Sequence, residues 1–316
     1  MQLKFLSALL VLYLGAALGL LSGEPAALIT GNSIIRAKAG ASDIVITTTG
    51  RLAGAIHSLT WNGKEFIDSQ DHGRQLQSAS SFDCGGPQEF WAEQYNPTEA
   101  GSRADGAGPR SSGKLLTLTA ERGQLRTQSQ MAFWLAPGEN SSGRPALNTS
   151  LLSNHLLAKR VHIGFKDAQH VIEYEVVFTV PKGERHHYAQ FEALTGYMPA
   201  EFSRFYKFMS ASGKLAPLDD GPGEQPCPVV LATETGSHAM GIYSPNQPSK
   251  GFEQAGYGRF RFPQEKVTKW NCVFRVRRPA GIQPGDYKYR LFVAVGTLED
   301  VRSALAAFGR KDNPAQ

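Results

Sequence analysis

Two stretches of this chain bring carboxylates, amides and flat rings close together. The first is GGPQEFWAEQYNPTEAGS, residues 85–102. Trp91 and Tyr95 offer apolar faces of the kind that stack on a pyranose, and Glu93, Gln94, Asn96 and Glu99 supply hydrogen-bonding groups around them. The second is HHYAQFEALTGYMP, residues 186–199, where Glu192 stands among aromatics. A half-buried carboxylate there would have a raised pKa and suit proton transfer, with Tyr197 orienting a hydroxyl. A third candidate, Asp71-His72-Gly73-Arg74, pairs an imidazole that titrates near neutrality with a planar donor fork.

Each of these has a structural alternative. Asp71 could cap a turn, Trp91 and Tyr95 could plug the end of a sandwich, and Glu99 could be a surface charge. Glu192 could be one half of an ion pair with an arginine. The alternatives differ in where the side chains end up, so the elements that carry them decide.

Those elements read as antiparallel β. Apolar residues alternate along VIEYEVVFTV, placing Ile172, Tyr174, Val176, Phe178 and Val180 on one face. DYKYRLFVAV does the same with Tyr287, Tyr289, Leu291, Val293 and Val295. Ten further segments repeat the pattern between Gly, Pro, Asn and Asp clusters, which predicts an all-β sandwich or barrel of large size. LEDVRSALAAFGR is the exception: Val301, Leu305 and Phe308 recur at helical spacing before Gly309. PAEFSRFYKF is compatible with a short helix or an irregular strand. Residues 84–113 form the longest stretch without a periodic signal, and loops of that length on rigid scaffolds collect binding residues.

YGRFRF and KWNCVFRV, joined by PQEKVT, predict a hairpin. Phe260 and Phe262 share one side of the first strand, with Tyr257, Arg259 and Arg261 on the other. In the second, Trp270, Cys272, Phe274 and Val276 face one way, leaving Lys269, Asn271, Val273, Arg275 and Arg277 opposite. Cations gathered without interleaved acids repel one another and call for an anionic ligand or for carboxylates such as Glu99 or Glu192.

The N-terminus has Lys4, an apolar run from Phe5 to Leu21, then small residues and Pro25, the pattern of an export signal over residues 1–27. Residues 28–316 are expected to form a single β-sandwich domain, secreted or periplasmic, with no stable membrane insertion once the signal is removed. The net charge of +5 carries no lysine-rich block, so nucleic acid is not an expected partner. Cys84, Cys227 and Cys272 allow at most one disulfide and match no zinc spacing. LDDGPGEQP lacks the ligand alternation of a calcium loop, and His186-His187 would point to opposite faces of a strand. Neither a metal nor any cofactor is expected. No nucleophile-elbow pattern supports acyl hydrolysis.

GRLAGAIHSLTWNGKEFIDSQDHGRQLQSA resembles the opening of galactose-mutarotase-like (aldose-epimerase-like) proteins. It has a glycine-bearing strand pair, an alternating Ile56/Leu59/Trp61 segment, a turn at Asn62-Gly63, and Gly73-Arg74 entering the next strand. The resemblance implies a large antiparallel β-supersandwich, here with a short C-terminal helix, whose concave face holds sugar. The paired histidines and late catalytic glutamate of the aldose epimerases have no clear match, and fold alone does not define activity. Together these readings describe an exported carbohydrate-active protein, acting on an oligo- or polysaccharide that could be acidic. The enzyme class expected is glycoside hydrolase or polysaccharide lyase, and the alternative is a non-catalytic, lectin-like module. Glu99, Glu192 and His72 are the expected proton-transfer groups. Arg74, Trp91, Tyr95, Asn96, Tyr197, Lys269, Asn271 and Arg275 are the expected sugar contacts. A hydrolase would need its two carboxyl groups about 5 to 9.5 Å apart. A lyase would use the cations to neutralise a uronate.

Overall fold

A computed structural model describes residues 29–85, 89–245 and 255–309. The export signal expected over residues 1–27 lies outside the described residues. The alternating segments pair into two large antiparallel layers. The first runs, neighbour to neighbour, through Ser33–Ala39, Ser42–Thr48, Ile56–Trp61, Leu76–Phe82, Tyr188–Pro199, Val267–Arg277, Gly256–Phe262 and Gly223–Gln225. The second runs through Lys114–Glu121, Gln124–Phe133, Leu152–Phe165, Ala168–Val180, Gly285–Gly296, Ala239–Tyr243, Val229–Ala232, Arg204–Met209 and Lys214–Leu218. PAEFSRFYKF thus resolves as a strand, Arg204–Met209.

Side chains from strands that never pair meet between the layers. Phe274 of the first layer stacks on Tyr289 of the second at 4.4 Å between ring centroids, and Phe191 packs against Phe178 and Tyr287. The faces read from alternation are the faces that are buried: Ile172 to Val180 and Tyr287 to Val295 all lie in this core. The helix Leu298–Gly309 closes the far side of the second layer, with Val301, Leu305 and Phe308 against Val171, Phe292 and Ala294. Its start is fixed by a reciprocal cap. Asp300 N donates to Thr297 Oγ1 at 3.1 Å and Thr297 N donates to Asp300 Oδ2 at 2.9 Å. The Asn62-Gly63 turn has positive φ at both residues (47° and 73°), as a tight two-residue hairpin requires.

The segment without periodic signal forms the seam between the layers. The two-residue strand Pro97–Thr98 pairs through Thr98 with Ala79 of the first layer, and with Ala132 and Phe133 of the second. Short 3-10 turns at Ala92–Tyr95 and Arg103–Asp105 flank it. Few strand residues are needed for this, which is why alternation did not reveal it.

One irregularity decides what the outer face of the first layer presents. Alternation alone groups Glu192 with Leu194, but the register slips between Glu192 and Leu194 against Val267–Arg277 and between Glu192 and Thr195 against Leu76–Phe82. Ala193 and Leu194 both enter the core. The phase is reset, so Thr195 and Tyr197 fall on the same outward face as Glu192. Gly196 then points at the core, where an added Cβ would lie 2.5 Å from the Trp270 ring.

Candidate functional site

The outer face of the first layer carries a cleft of about 180 Å³. Its floor is Gln77, Ala79 and Ser81 from one strand, Glu192, Thr195 and Tyr197 from the bulged strand, and Lys269 from the next. The seam supplies a wall through Ala92, Glu93, Asn96 and Thr98, and Trp134 stands over Gly73 at the rim. Gly73 is needed there because an added Cβ would lie 2.5 Å from Trp134 Cη2.

Glu192 is the most elaborately held group in the cleft. Thr195 Oγ1 donates to its Oε2 at 2.7 Å, and Lys269 Nζ lies 3.5 Å from the same oxygen. Burial pushes the Glu192 carboxyl up, but the Lys269 charge and hydrogen bonds from Thr195, Asn271 and Lys269 outweigh it and hold the group below its ordinary value. The expectation of a raised value is therefore corrected: Glu192 is ionised at neutral pH. Burial works against the Lys269 charge as well, yet Glu192 and Tyr197 raise its pKa above the usual lysine range. The ammonium lies 5.1 Å from the ring centroids of both Tyr197 and Phe260.

Asn96 fixes the wall by donating through Nδ2 to Ser80 O at 2.6 Å and to Ser81 Oγ at 3.0 Å. Glu93 accepts a hydrogen bond from Ser141 Oγ and has no ion-pair partner among the described residues. Gln77 Nε2 donates to Gly73 O at 2.9 Å, leaving its buried Oε1 without a hydrogen-bond partner among the described residues.

Four of the residues singled out by sequence, Glu192, Asn96, Tyr197 and Lys269, thus come together, and Asn271 supports them from beneath. The others do not line this cleft. Glu99 turns inward beside Thr98: its Oε1 lies 2.5 Å from Lys159 Nζ and its Oε2 accepts from Ser78 N at 3.0 Å, with both side chains almost wholly buried. His72 is also buried, its Nδ1 2.8 Å from Gly106 O and its Nε2 2.9 Å from Arg51 O, so neither ring nitrogen is open to a ligand. Arg74 is held by Asp71 through Nε and a terminal nitrogen at 2.9 and 2.8 Å. Trp91 is 37% exposed beyond the wall, with the Arg144 guanidinium 5.2 Å from its ring centroid.

Tyr95 packs against Phe82, Phe133 and His186, and burial together with Glu184 drives its hydroxyl pKa far up. Glu184 in turn receives His155 Nε2 at 2.8 Å and His186 Nε2 at 2.9 Å on one oxygen. No group of three metal-ligating side chains suited to a metal ion occurs among the described residues.

The single cationic face expected for the hairpin is corrected: Arg259 and Arg261 stand opposite Trp270 and Thr268, whereas Lys269 stands opposite Phe260 and over its ring, so the cations divide between the two sides of the strands. The acidic loop Asp219 to Glu224 meets the arginines: Asp219 pairs with Arg259 at 2.5 Å and Asp220 with Arg261 at 2.6 Å. Glu224 takes Arg275 through two bonds of 2.7 and 2.8 Å. The expectation that Glu99 would serve these cations is corrected. All three cysteines are free, and burial, with Asp83 and Glu184 nearby, pushes the Cys84 thiol up to about 12.

Sequence reasoning did not weigh Trp134. It sits one residue beyond the strand Gln124–Phe133, and only the seam's fold brings it over Gly73. Glu93 was noted as a polar neighbour, and its place in the cleft depends on the Ala92–Tyr95 turn.

No family model matches the chain, and no curated protein matches it. Among solved structures it is similar to the Slr1438 protein from Synechocystis, at 10% identity and TM-score 0.45, covering 84% of this chain and 96% of that one. It is also similar to a Klebsiella pneumoniae protein provisionally assigned as an aldose 1-epimerase, at 10% identity and TM-score 0.44, covering 89% and 91%. An α-galactosidase from Lactobacillus brevis matches at 10% identity and TM-score 0.40, covering 84% of this chain and 40% of that one. The large antiparallel two-layer architecture stands on the strand pairings described above. Activity rests on the site.

Proposed function

We propose that the cleft binds a sugar ring and that Glu192 performs proton transfer at the bound sugar, in an exported carbohydrate-active protein. The observation that carries this reading is the meeting, in one hollow, of an ionised carboxylate with two aromatic rings and several amide and hydroxyl groups. A pyranose shows one apolar C–H face and a rim of hydroxyls. Trp134 and Tyr197 suit the first, and Asn96, Gln77 and Thr195 suit the second. Ionised at neutral pH, Glu192 is a base, with Lys269 and Thr195 fixing its orientation. Because Arg259, Arg261 and Arg275 each have their own carboxylate, the reading favours a neutral sugar over a uronate.

The test is calorimetric titration with a panel of neutral and acidic mono- and oligosaccharides. It is paired with assays for reducing-end release, unsaturated products and exchange between sugar anomers. Trp134→Ala should weaken binding about tenfold, the loss of one stacked ring. Binding without turnover in any assay would leave the lectin-like alternative. If no sugar binds, or Trp134→Ala binds like the parent, the cleft is not the sugar site. Export is checked by cell fractionation with N-terminal sequencing of the mature chain.

A further inference from the structure

The cleft holds about 180 Å³, below the usual range of about 300 to 1,000 Å³ for pockets that enclose a drug-sized ligand. A volume of that size suits a single ring. Any longer ligand has to leave over a rim, and the seam wall at Ala92, Glu93 and Asn96 is one such rim.

Trp91 stands just beyond that wall, at the start of the Ala92–Tyr95 turn whose first two residues line the cleft. The large hydrophobic side chains exposed among the described residues are Ile29, Ile34, Trp91 and Met209, so Trp91 is the aromatic one. At 37% exposure its indole forgoes much of the stabilisation that burying its area would give. The ring is nonetheless held in place. Its Nε1 lies 3.5 Å from Ser141 Oγ, and that hydroxyl donates to Glu93 Oε2. Adding a hydrogen bond of about 3 Å puts the indole nitrogen within roughly 7 Å of the Glu93 carboxylate in the cleft wall. The Arg144 guanidinium braces the ring 5.2 Å from its centroid and is itself fixed by Glu89 at 3.0 Å.

Ser141 and Arg144 belong to a small hairpin, Asn140–Ser141 with Arg144–Pro145, whose turn residues Ser142 and Gly143 both have positive φ (50° and 76°). Gln94 Nε2 of the wall turn donates to Pro145 O at 2.8 Å, and Leu147 N donates to Gln94 O at 2.9 Å. Wall, hairpin and indole therefore form one unit, continuous with the cleft.

We propose that Trp91 is a second sugar-binding subsite, so that the ligand of the cleft is an oligosaccharide whose outer part crosses the seam wall and rests on the exposed indole. This rests on the sugar reading above and adds chain length to it. A fixed indole suits the role, because it offers a flat apolar surface to the C–H face of a pyranose and loses little side-chain freedom on binding. Ser141 is a positioning residue, tying the indole edge to Glu93.

The experiment is calorimetric titration of the parent protein and its Trp91→Ala, Trp91→Phe and Ser141→Ala variants. The probes are D-glucose and D-galactose, each beside its α-1,4- and β-1,4-linked disaccharides and tetrasaccharides. In the series that the parent binds, the tetrasaccharide should bind about tenfold more tightly than the monosaccharide, the contribution of one stacked ring. Trp91→Ala should remove that gain and leave monosaccharide affinity within about twofold of the parent. Trp91→Phe, which keeps a ring, should retain part of the gain, and Ser141→Ala should lose about threefold of it. Thermal unfolding should show each variant folded, as substitution at an exposed ring allows. Equal affinity of the parent for monosaccharide and tetrasaccharide would overturn the subsite and leave the cleft reading intact. So would a Trp91→Ala variant that keeps the gain, or one that loses both ligands alike. A parent protein that binds none of the probes would remove both readings.

Discussion

This protein contains two Glu–Lys pairs, one buried at the seam and one half-buried in the cleft, and they serve different ends. Glu99 and Lys159 are 1–2% exposed with 2.5 Å between nitrogen and oxygen, and they join the strand-linking segment to the second layer. Glu192 and Lys269 are 22% and 13% exposed with 3.5 Å between them, and they open onto a cleft lined by aromatic and amide groups. Both pairs consist of the same two side chains. What separates them is access: a sealed pair spends its charge on another part of the protein, and an open one keeps an oxygen available to a ligand. Removing one partner of a sealed pair leaves a stranded charge, whereas the open pair has water and hydroxyls to compensate.

The largest effect expected from breaking that comparison is on stability. Glu99→Gln should cost about 3 to 5 kcal/mol, as removal of one partner from a buried pair does. Chemical denaturation would measure it, and the double variant Glu99→Gln/Lys159→Met should recover most of the loss. A loss under 1 kcal/mol would mean that the seam pair is not sealed in solution.

Glu192→Gln should behave in the opposite way, with turnover falling about 10²-fold or more and stability changing by about 1 kcal/mol. Steady-state kinetics beside thermal unfolding would separate the two. Equal losses of folding and activity in both variants would erase the distinction.

Glu184 sharpens the comparison as a half-buried carboxylate held by imidazoles instead of a lysine. Burial would raise its pKa, but hydrogen bonds from His155, His186 and Tyr95 bring it down to about 2. A carboxyl whose folded value is depressed contributes stability above its unfolded value, near 4.5, and loses it as pH falls toward 2. Because solvent screens this half-buried site, Glu184→Gln should cost about 1 to 2 kcal/mol at pH 7, and the difference should shrink as pH falls from about 4.5 toward 2. A pH-independent difference in unfolding free energy would argue that packing alone explains the cost. The smallest effect is expected from Thr195→Val, which removes one hydroxyl from Glu192. It should change sugar affinity or turnover by about 1 kcal/mol, with the Glu192 pKa moving up in the pH–rate profile.

The path from sequence to site was legible wherever facing is a local property. The face carrying Trp270, Cys272, Phe274 and Val276 and the opposite one carrying Lys269, Asn271 and Arg275 follow from alternation, and the structure keeps both. Glu192 and Tyr197 were read from neighbouring residue types, but the reason they share a face was hidden. A bulge needs one residue out of phase, and YAQFEALTGYMP has apolar residues on both sides of that point, so nothing in the pattern marks it. Glu99 looked like a site residue because the segment around it is polar and lacks periodicity. Its partner lies sixty residues further on, at Lys159, which shares the inward face of its strand with Leu157, Val161 and Ile163.

The sequence by itself determined the β class, the facing of regular strands such as Ala168–Val180 and Gly285–Gly296, and the closing helix. Each depends on side-chain direction along one short piece of backbone, and the chain carries that information residue by residue. The tertiary structure alone decided which charges meet. It joined the layers through Pro97–Thr98, folded Asp219 to Glu224 over the arginines, and sealed one glutamate while leaving another open. Charge pairing and burial depend on distances between residues far apart in the chain, and those distances exist only once the layers have stacked.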